Sequence, residues 1–277
     1  MLQQNEIETF RTAGYIPLRG GVPKSDVDEM CERIWELMAE QGIERNDSGS
    51  WIKSEHTHRG LKAVSQLHRL KQGEPSPEDY PNVRAALDCV FEPGERAPAK
   101  NWGQVLVTLP VAAADAWLMP SSVWHFDHWY GNPGEVCGVN VFLLIADVEA
   151  GGGGTAVVRN SPRLMDRLLN SGAQFEKLSD QNKGFCSSHP WLRGLKVPRK
   201  AQNVERNACY MDADTDLDGI PVRVEELTGS AGDVFLCHPA LLHAPAINTS
   251  SQPRLMRTQR VYTKALRDLI AASSNSS

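Results

Sequence analysis

The sequence predicts an α+β protein. Its expected core is a double-stranded β-helix, a jelly-roll or cupin-like sandwich, with flanking N-terminal helices. Three observations predict it. Helical patterns occupy the first third of the chain, short strand-like runs dominate after Asn101, and turn residues separate those runs.

The elements follow in order. Residues 5–13 read as a short helix with Ile7 and Phe10 on one face, ended by Gly14, and Tyr15-Ile16-Pro17-Leu18 reads as a strand. Val27, Met30, Ile34, Leu37 and Met38 form the stripe of an amphipathic helix, with Ser25 as expected N-cap and Gly42 as expected C-cap. Residues 72–81, rich in Pro and Glu, read as a loop, and Val83, Ala86, Leu87, Val90 and Phe91 mark a helix over about 81–92. Trp102–Leu109 is strand-like up to Pro110. Val136–Ile145 is nearly continuous in apolar residues, as a strand covered on both faces would be. Thr155–Val158, Pro221–Val224, Asp233–Cys237 and Leu255–Tyr262 supply further strands. No repeat or linker interrupts the chain, so residues 1–277 are expected to form one domain. Residues 160–215, with one helix at Pro162–Asn170 followed by polar turns, are expected to be a lid insertion. The terminal Ser273-Ser274-Asn275-Ser276-Ser277 is expected to be disordered.

Composition narrows the function classes. Of 277 residues, 41% are hydrophobic and 23% charged, enough for a sizeable core. A net charge of -5 disfavours nucleic acid as the main partner. No apolar run approaches about 18 residues, so no membrane span is expected. Met1-Leu2-Gln3-Gln4-Asn5-Glu6 has no signal-peptide character. Cys31, Cys89, Cys137, Cys186, Cys209 and Cys237 are scattered without a C-x-x-C pair. That favours free thiols and a cytoplasmic setting. The run Gly151–Gly154 lacks the Lys-Ser/Thr of a phosphate loop and reads as a tight turn.

The chemistry lies in Trp124-His125-Phe126-Asp127-His128. If this stretch is a strand, His125 and Asp127 share a face. An imidazole and a carboxylate side by side make two thirds of a 2-His-1-carboxylate iron site. A second His follows the apolar run Asp233–Cys237, at His238 or His243, and Arg254, Arg257 and Arg260 lie on the next strand. Strand parity puts Arg254 and Arg260 on one face and Arg257 on the other. Arginine suits the far carboxylate of a 2-oxo acid because it is permanently charged and forked. Cys237-His238 as a soft metal pair is disfavoured, since adjacent strand residues face opposite ways. His56-x-His58 shows no third ligand, so a surface or pocket-rim role is expected. Trp129, after His128 and before Tyr130, either lines a pocket or belongs to the core.

This layout resembles the phytanoyl-CoA dioxygenase family of Fe(II)/2-oxoglutarate-dependent oxygenases over nearly the whole chain. The matching residues are Phe10-Arg11-Thr12-Ala13-Gly14-Tyr15, Trp124–Asp127, Gly152-Gly153-Gly154-Thr155, and Gly232-Asp233-Val234-Phe235-Leu236 through His238, His243, Asn248 and Arg254. The resemblance implies His125, Asp127 and His243 as iron ligands, with His238 a packed or hydrogen-bonding residue. It also implies Arg254 on the distal carboxylate of 2-oxoglutarate. Gln104 and Lys62 are further candidates for contact with that cosubstrate, although each also fits a solvated polar residue. The chain departs from the family at Arg159-Asn160-Ser161-Pro162-Arg163, where a Pro-Gly-Ser-His run is common. The implied cofactors are Fe(II), 2-oxoglutarate and O2. The implied reaction is hydroxylation of a small-molecule C–H bond with release of succinate and CO2. A carboxylate at Asp127 argues against a halogenase. The rival readings are a desaturase or cyclase using the same oxidant, a metal- or ligand-binding barrel without turnover, and a zinc hydrolase with no need of Arg254.

Overall fold

A computed structural model describes residues 2–52, 75–111, 116–128, 130–198 and 202–274. Lys62, His56, His58, Trp129, Asn275-Ser276-Ser277 and residues 72–74 of the expected loop lie outside the described residues; the rest of that loop holds a 3-10 turn, Pro77–Asp79.

Two antiparallel sheets form the core. In chain order the strands are β1 (Tyr15–Leu18), β2 (Gln104–Thr108), β3 (Gly138–Leu144), β4 (Ala156–Arg159), β5 (Thr215–Leu217), β6 (Ile220–Glu226), β7 (Val234–Cys237), β8 (His243–Ala244) and β9 (Arg254–Tyr262). One sheet has the order β1-β7-β3-β9-β2 and the other β5-β6-β4-β8. Strands from opposite ends of the chain thus share a sheet, and this is the jelly-roll core that the sequence predicts.

The helices α1 (Gln4–Thr12), α2 (Lys24–Ala39) and α3 (Pro81–Val90) cover the outer face of the five-stranded sheet. Val27, Met30, Ile34 and Met38 of α2 are buried there. Each contributes about 1.5–3 kcal/mol by leaving water. They pack with Val139, Val141 and Leu143 of β3, whose alternate residues Phe142 and Leu144 face a second cluster on the inner side. All seven residues of β3 are buried, which is why its sequence shows no polar alternation. Helix α2 starts at Lys24 with Pro23 as N-cap, not Ser25. Proline's fixed φ suits a helix start, and Lys24 pairs with Asp28 at 2.6 Å. The Ser25 hydroxyl turns to the Asp26 carboxylate at 3.0 Å and caps nothing. At the other end Gly42 sits in the closing turn, where the Ile43 N–H reaches the Met38 carbonyl at 3.1 Å.

Residues 160–215 are more helical than the sequence suggests. They hold α4 (Ser161–Asn170), α5 (Leu178–Ser187), α6 (Pro190–Gly194) and α7 (Val204–Met211). Helix α4 has the strongest apolar stripe of the four. Helix α5 buries only Gln181, Phe185 and Cys186, and α7 buries nothing fully, so neither announces itself by periodicity. A further helix, α8 (Lys264–Ser274), follows β9.

The Gly232-Asp233 pair starts β7. Gly232 has φ 93, and a Cβ there would stand 2.4 Å from the Val22 carbonyl oxygen. Asp233 accepts hydrogen bonds from the Gly20 N–H at 2.8 Å and the Ser230 N–H at 3.0 Å. Replacing Gly232 with Ala is expected to cost about 1–3 kcal/mol of stability from the strained backbone alone. Urea unfolding of the variant checks this through a lower midpoint at unchanged slope.

Candidate metal centre

The centre is assembled by a backbone bridge between segments far apart in sequence. The His125 N–H donates to the His243 carbonyl at 2.9 Å, and the His243 N–H donates back to His125 at 3.1 Å. The two rings then stand 4.4 Å apart, centroid to centroid. His243 is held in place because β8 pairs with β4, His243 opposite Val157.

Residues 124–128 do not form the strand that the spacing predicts. Among them only His125 makes a bridge. Val123 turns the chain at φ 62, and the backbone beyond finds side-chain partners instead of a ladder. The Phe126 N–H donates to Asn182 Oδ1 at 2.6 Å and the Tyr130 N–H to Gln181 Oε1 at 3.0 Å. Gln181 also donates to the Tyr130 carbonyl. Helix α5 therefore holds the loop that carries His125 and Asp127, a support invisible in the sequence. The two side chains still converge, through loop geometry and not strand parity.

Among the described residues, His125, Asp127 and His243 form the group able to share one cation, with donor atoms all within 4.8 Å of one another. His125 Nε2 lies 3.6 Å from Asp127 Oδ1, and His243 Nε2 lies 3.4 Å from Oδ2. Donors about 2.0–2.2 Å from one ion stand roughly 3 Å apart at right angles, so a small inward movement suffices. The ring orientation also fits. His125 Nδ1 lies 2.7 Å from the Val123 carbonyl and His243 Nδ1 lies 3.0 Å from the Leu241 carbonyl. A carbonyl only accepts, so each Nδ1 carries the proton and each Nε2 offers a lone pair.

Asp127 is the electrostatic hub. Burial pushes its carboxyl up, but the Arg260 charge pulls it down, and whenever the imidazoles also carry Nε2 protons, hydrogen bonds from His125 and His243 and the charge of His243 hold it far below the usual carboxylate range. Two more groups grip it. Asn140 Nδ2 donates to Oδ2 at 3.0 Å and Arg260 donates to Oδ1 at 2.6 Å. Because Asn140 uses its amide on Asp127, its oxygen accepts from His128 Nε2 at 2.7 Å. Sequence reasoning named Arg260 only as a rival to Arg254 and missed Asn140, Gln181 and Asn182. Asn140 is a polar residue inside an apolar strand, and that mismatch was its one available signal.

Arg254 lies apart from this group. It is 5% exposed and faces Thr108 across the β2–β9 ladder, donating to Thr108 Oγ1 at 2.6 Å. Its Nε has no partner, and among the described residues no carboxylate pairs with it. Burial lowers its pKa to about 10, opposed by the charge of Glu226. Phe142, Leu144, Thr155, Phe235 and Met256 wall the crevice that holds it. Phe142 also meets the His243 ring, centroids 6.0 Å apart, so this crevice adjoins the histidines. Gln104 pairs with Thr258, which pairs with Phe142, so Gln104 is on the same inner face, exposed at the start of β2. Arg257 is fully buried on the opposite face and contacts the Gly103 carbonyl at 3.3 Å.

His238 is a packing residue. It is buried between Phe10 and Tyr130, and its Nδ1 accepts the Ala240 N–H at 3.1 Å. Gly151–Gly154 form a turn, as the sequence predicts. Their amides are taken by the Glu226 carboxylate, from Gly151 at 2.7 Å and Gly154 at 2.8 Å. A Cβ on Gly153, at φ 82, would stand 2.9 Å from Asn248 Cβ. Asn248 itself donates to the Thr108 and Gln252 carbonyls at 3.1 and 2.7 Å, tying the turn to the end of β2.

A model of the family described as phytanoyl-CoA dioxygenase matches residues 10–256. The chain belongs to the phytanoyl-CoA dioxygenase family. A comparison with curated proteins finds no match. Among solved structures, the chain is similar to the epimerase SnoN, crystallised with Fe3+, alpha ketoglutarate and nogalamycin RO. Identity is 15%, 94% of this chain and 82% of that one are covered, and the TM-score is 0.52. It is also similar to the non-heme alpha ketoglutarate dependent carbocyclase SnoK (16% identity, 95% and 84% covered, TM-score 0.49). AviO1 from Streptomyces viridochromogenes Tue57 has 15% identity, 96% and 97% coverage and a TM-score of 0.49. The first of these shares the fold of this family member.

Burial holds the His238 pKa down, at about 3 against an ordinary 6.5. Above about pH 6.5 both folded and unfolded chains keep it neutral, and its contribution to stability is fully present. Between about 6.5 and 3 only the unfolded chain takes the proton, so stability falls as pH falls, by up to ~1.4 kcal/mol per unit. His238→Asn keeps an acceptor for Ala240. Its unfolding free energy, measured from pH 7 to 5, is expected to fall less steeply than the wild type's by up to one proton.

Proposed function

We propose that this phytanoyl-CoA dioxygenase family member is a non-haem Fe(II)/2-oxoglutarate-dependent dioxygenase that hydroxylates a C–H bond of a small molecule. Succinate and CO2 are the coproducts. The observation that carries this reading is the His125, Asp127 and His243 group standing beside a crevice with a buried arginine that has no carboxylate partner among the described residues.

His125 Nε2, His243 Nε2 and one Asp127 oxygen would hold the iron, and bound iron supplies the redox chemistry that couples O2 to 2-oxo acid decarboxylation. The chain's own work is binding and orientation. Val123 and Leu241 carbonyls hold each imidazole with its lone pair inward. Arg254 offers a fork to the distal carboxylate of 2-oxoglutarate, and that carboxylate supplies the negative charge that its burial calls for. The apolar walls around it exclude water from that pairing. Gln104, on the same inner face as Arg254, supports a further hydrogen bond to the cosubstrate. Lys62 remains a candidate from its sequence position only.

The same reading treats residues 1–277 as one oxygenase domain, supported by β1 and β9 lying in one sheet. It treats residues 160–215 as the cover over the substrate side, supported by the bonds of α5 to the metal-binding loop. A small-molecule substrate is in keeping with the nogalamycin compound bound by SnoN. A cytoplasmic location is supported by six free cysteines; among the described residues no helix is long and apolar enough to cross a membrane.

Anaerobic titration with Fe(II) and 2-oxoglutarate tests this, read as the weak visible charge-transfer band. The wild type is expected to show the band and Asp127→Ala to lose it. Arg254→Ala is expected to need about a hundredfold more 2-oxoglutarate, equivalent to ~2.7 kcal/mol. A fully metal-loaded wild type with no band would sink the oxygenase reading in favour of a binding or hydrolytic barrel.

A further inference from the structure

We infer that Arg260 is a positioning residue for the metal-binding carboxylate of Asp127, an inference that rests on the function proposed above. Four observations carry it. Arg260 donates to Asp127 Oδ1 at 2.6 Å, while Asn140 holds Oδ2 at 3.0 Å. The Arg260 and Asn140 residues are direct partners in the β3–β9 ladder, so both donors rise from one point on the inner face. Asn140 is 1% exposed and locked in turn by His128. The Arg260 side chain is half-exposed, at 49%, so it stands at the rim of the centre and not in its core.

A carboxylate has about four lone-pair directions. Asn140 and Arg260 take one on each oxygen, which leaves one on each for a cation and fixes the plane of the group. A free aspartate would rotate about its terminal bond, and a loop residue has no strand to restrain it. Residues 126–128 have no ladder partners, so the two outer donors do for Asp127 what the Val123 and Leu241 carbonyls do for the imidazoles. Arg260 also brings a positive charge to the rim. An arriving dianion such as 2-oxoglutarate meets that charge as well as the buried Arg254. Both effects predict the same direction: without Arg260, the carboxylate is less ordered and the dianion binds more weakly. Asn140 alone fixes one oxygen, so metal binding itself persists.

The test uses Co(II), whose visible d–d band reports ligand geometry without turnover. Wild type, Arg260→Ala and Arg260→Lys are loaded with Co(II) anaerobically and titrated with 2-oxoglutarate, and thermal midpoints are recorded. Arg260→Ala is expected to bind Co(II) with a shifted or broadened band and to weaken 2-oxoglutarate at least tenfold, with the thermal midpoint of the metal-free protein nearly unchanged. Arg260→Lys is expected to recover most of both. A merely structural role would move the midpoint and leave band shape alone. If wild type binds Co(II) and 2-oxoglutarate while Arg260→Ala gives the same band and the same affinity, this inference is overturned and the proposed function stands. If wild type binds neither, both fall together.

Discussion

The pair of backbone hydrogen bonds between His125 and His243 is the constraint on which the rest of this site depends. It joins a loop from the first half of the strand region to the two-residue strand β8, and it makes two imidazoles neighbours without any direct bond between them. Because β8 pairs with β4, the bridge also fixes the centre to the smaller sheet, while Asn140 and Arg260 fix Asp127 to the larger one. The proposed metal would sit where the two sheets meet. Loss of either sheet's packing would separate the donors.

Charge is distributed with the same economy. The buried cation Arg254 and the half-exposed cation Arg260 lie on one face of β9, six residues apart. Asp127 answers the second, and nothing in the described chain answers the first. The cost of holding an arginine in an apolar crevice is offset in part by the Thr108 hydroxyl and further when an anion enters. Under the proposed function, the distal carboxylate of 2-oxoglutarate supplies that anion. Glu226 contributes at longer range, but its oxygens are committed to the amides of the Gly151–Gly154 turn.

Much of this was legible in the sequence. The apolar run of β3, the α2 stripe, the Gly-Asp start of β7 and the parity of Arg254 and Arg260 all follow from periodicity and turn chemistry. His125, Asp127 and His243 were visible as residue types in order, with the choice over His238 implied by family resemblance; the packing of His238 against Phe10 and Tyr130 gives it a different physical role. What was not legible depends on tertiary partners. The metal-binding segment is a loop because Gln181 and Asn182, more than fifty residues away, take its backbone N–H groups. Helices α5 and α7 are short, rich in polar residues and bury three residues and none respectively, so their sequences read as turns. The placement of Asn140 beneath Asp127 needs the β3–β9 register, which no local pattern encodes.

The most direct test of the central claim is anomalous diffraction at the iron edge, from crystals grown anaerobically with Fe(II) and 2-oxoglutarate. One strong peak per chain is expected, within bonding distance of His125 Nε2, His243 Nε2 and an Asp127 oxygen, with density for a dicarboxylate reaching Arg254. A peak beside Cys237 and His238, or an ordered His125–His243 bridge with no iron between the rings, would contradict it.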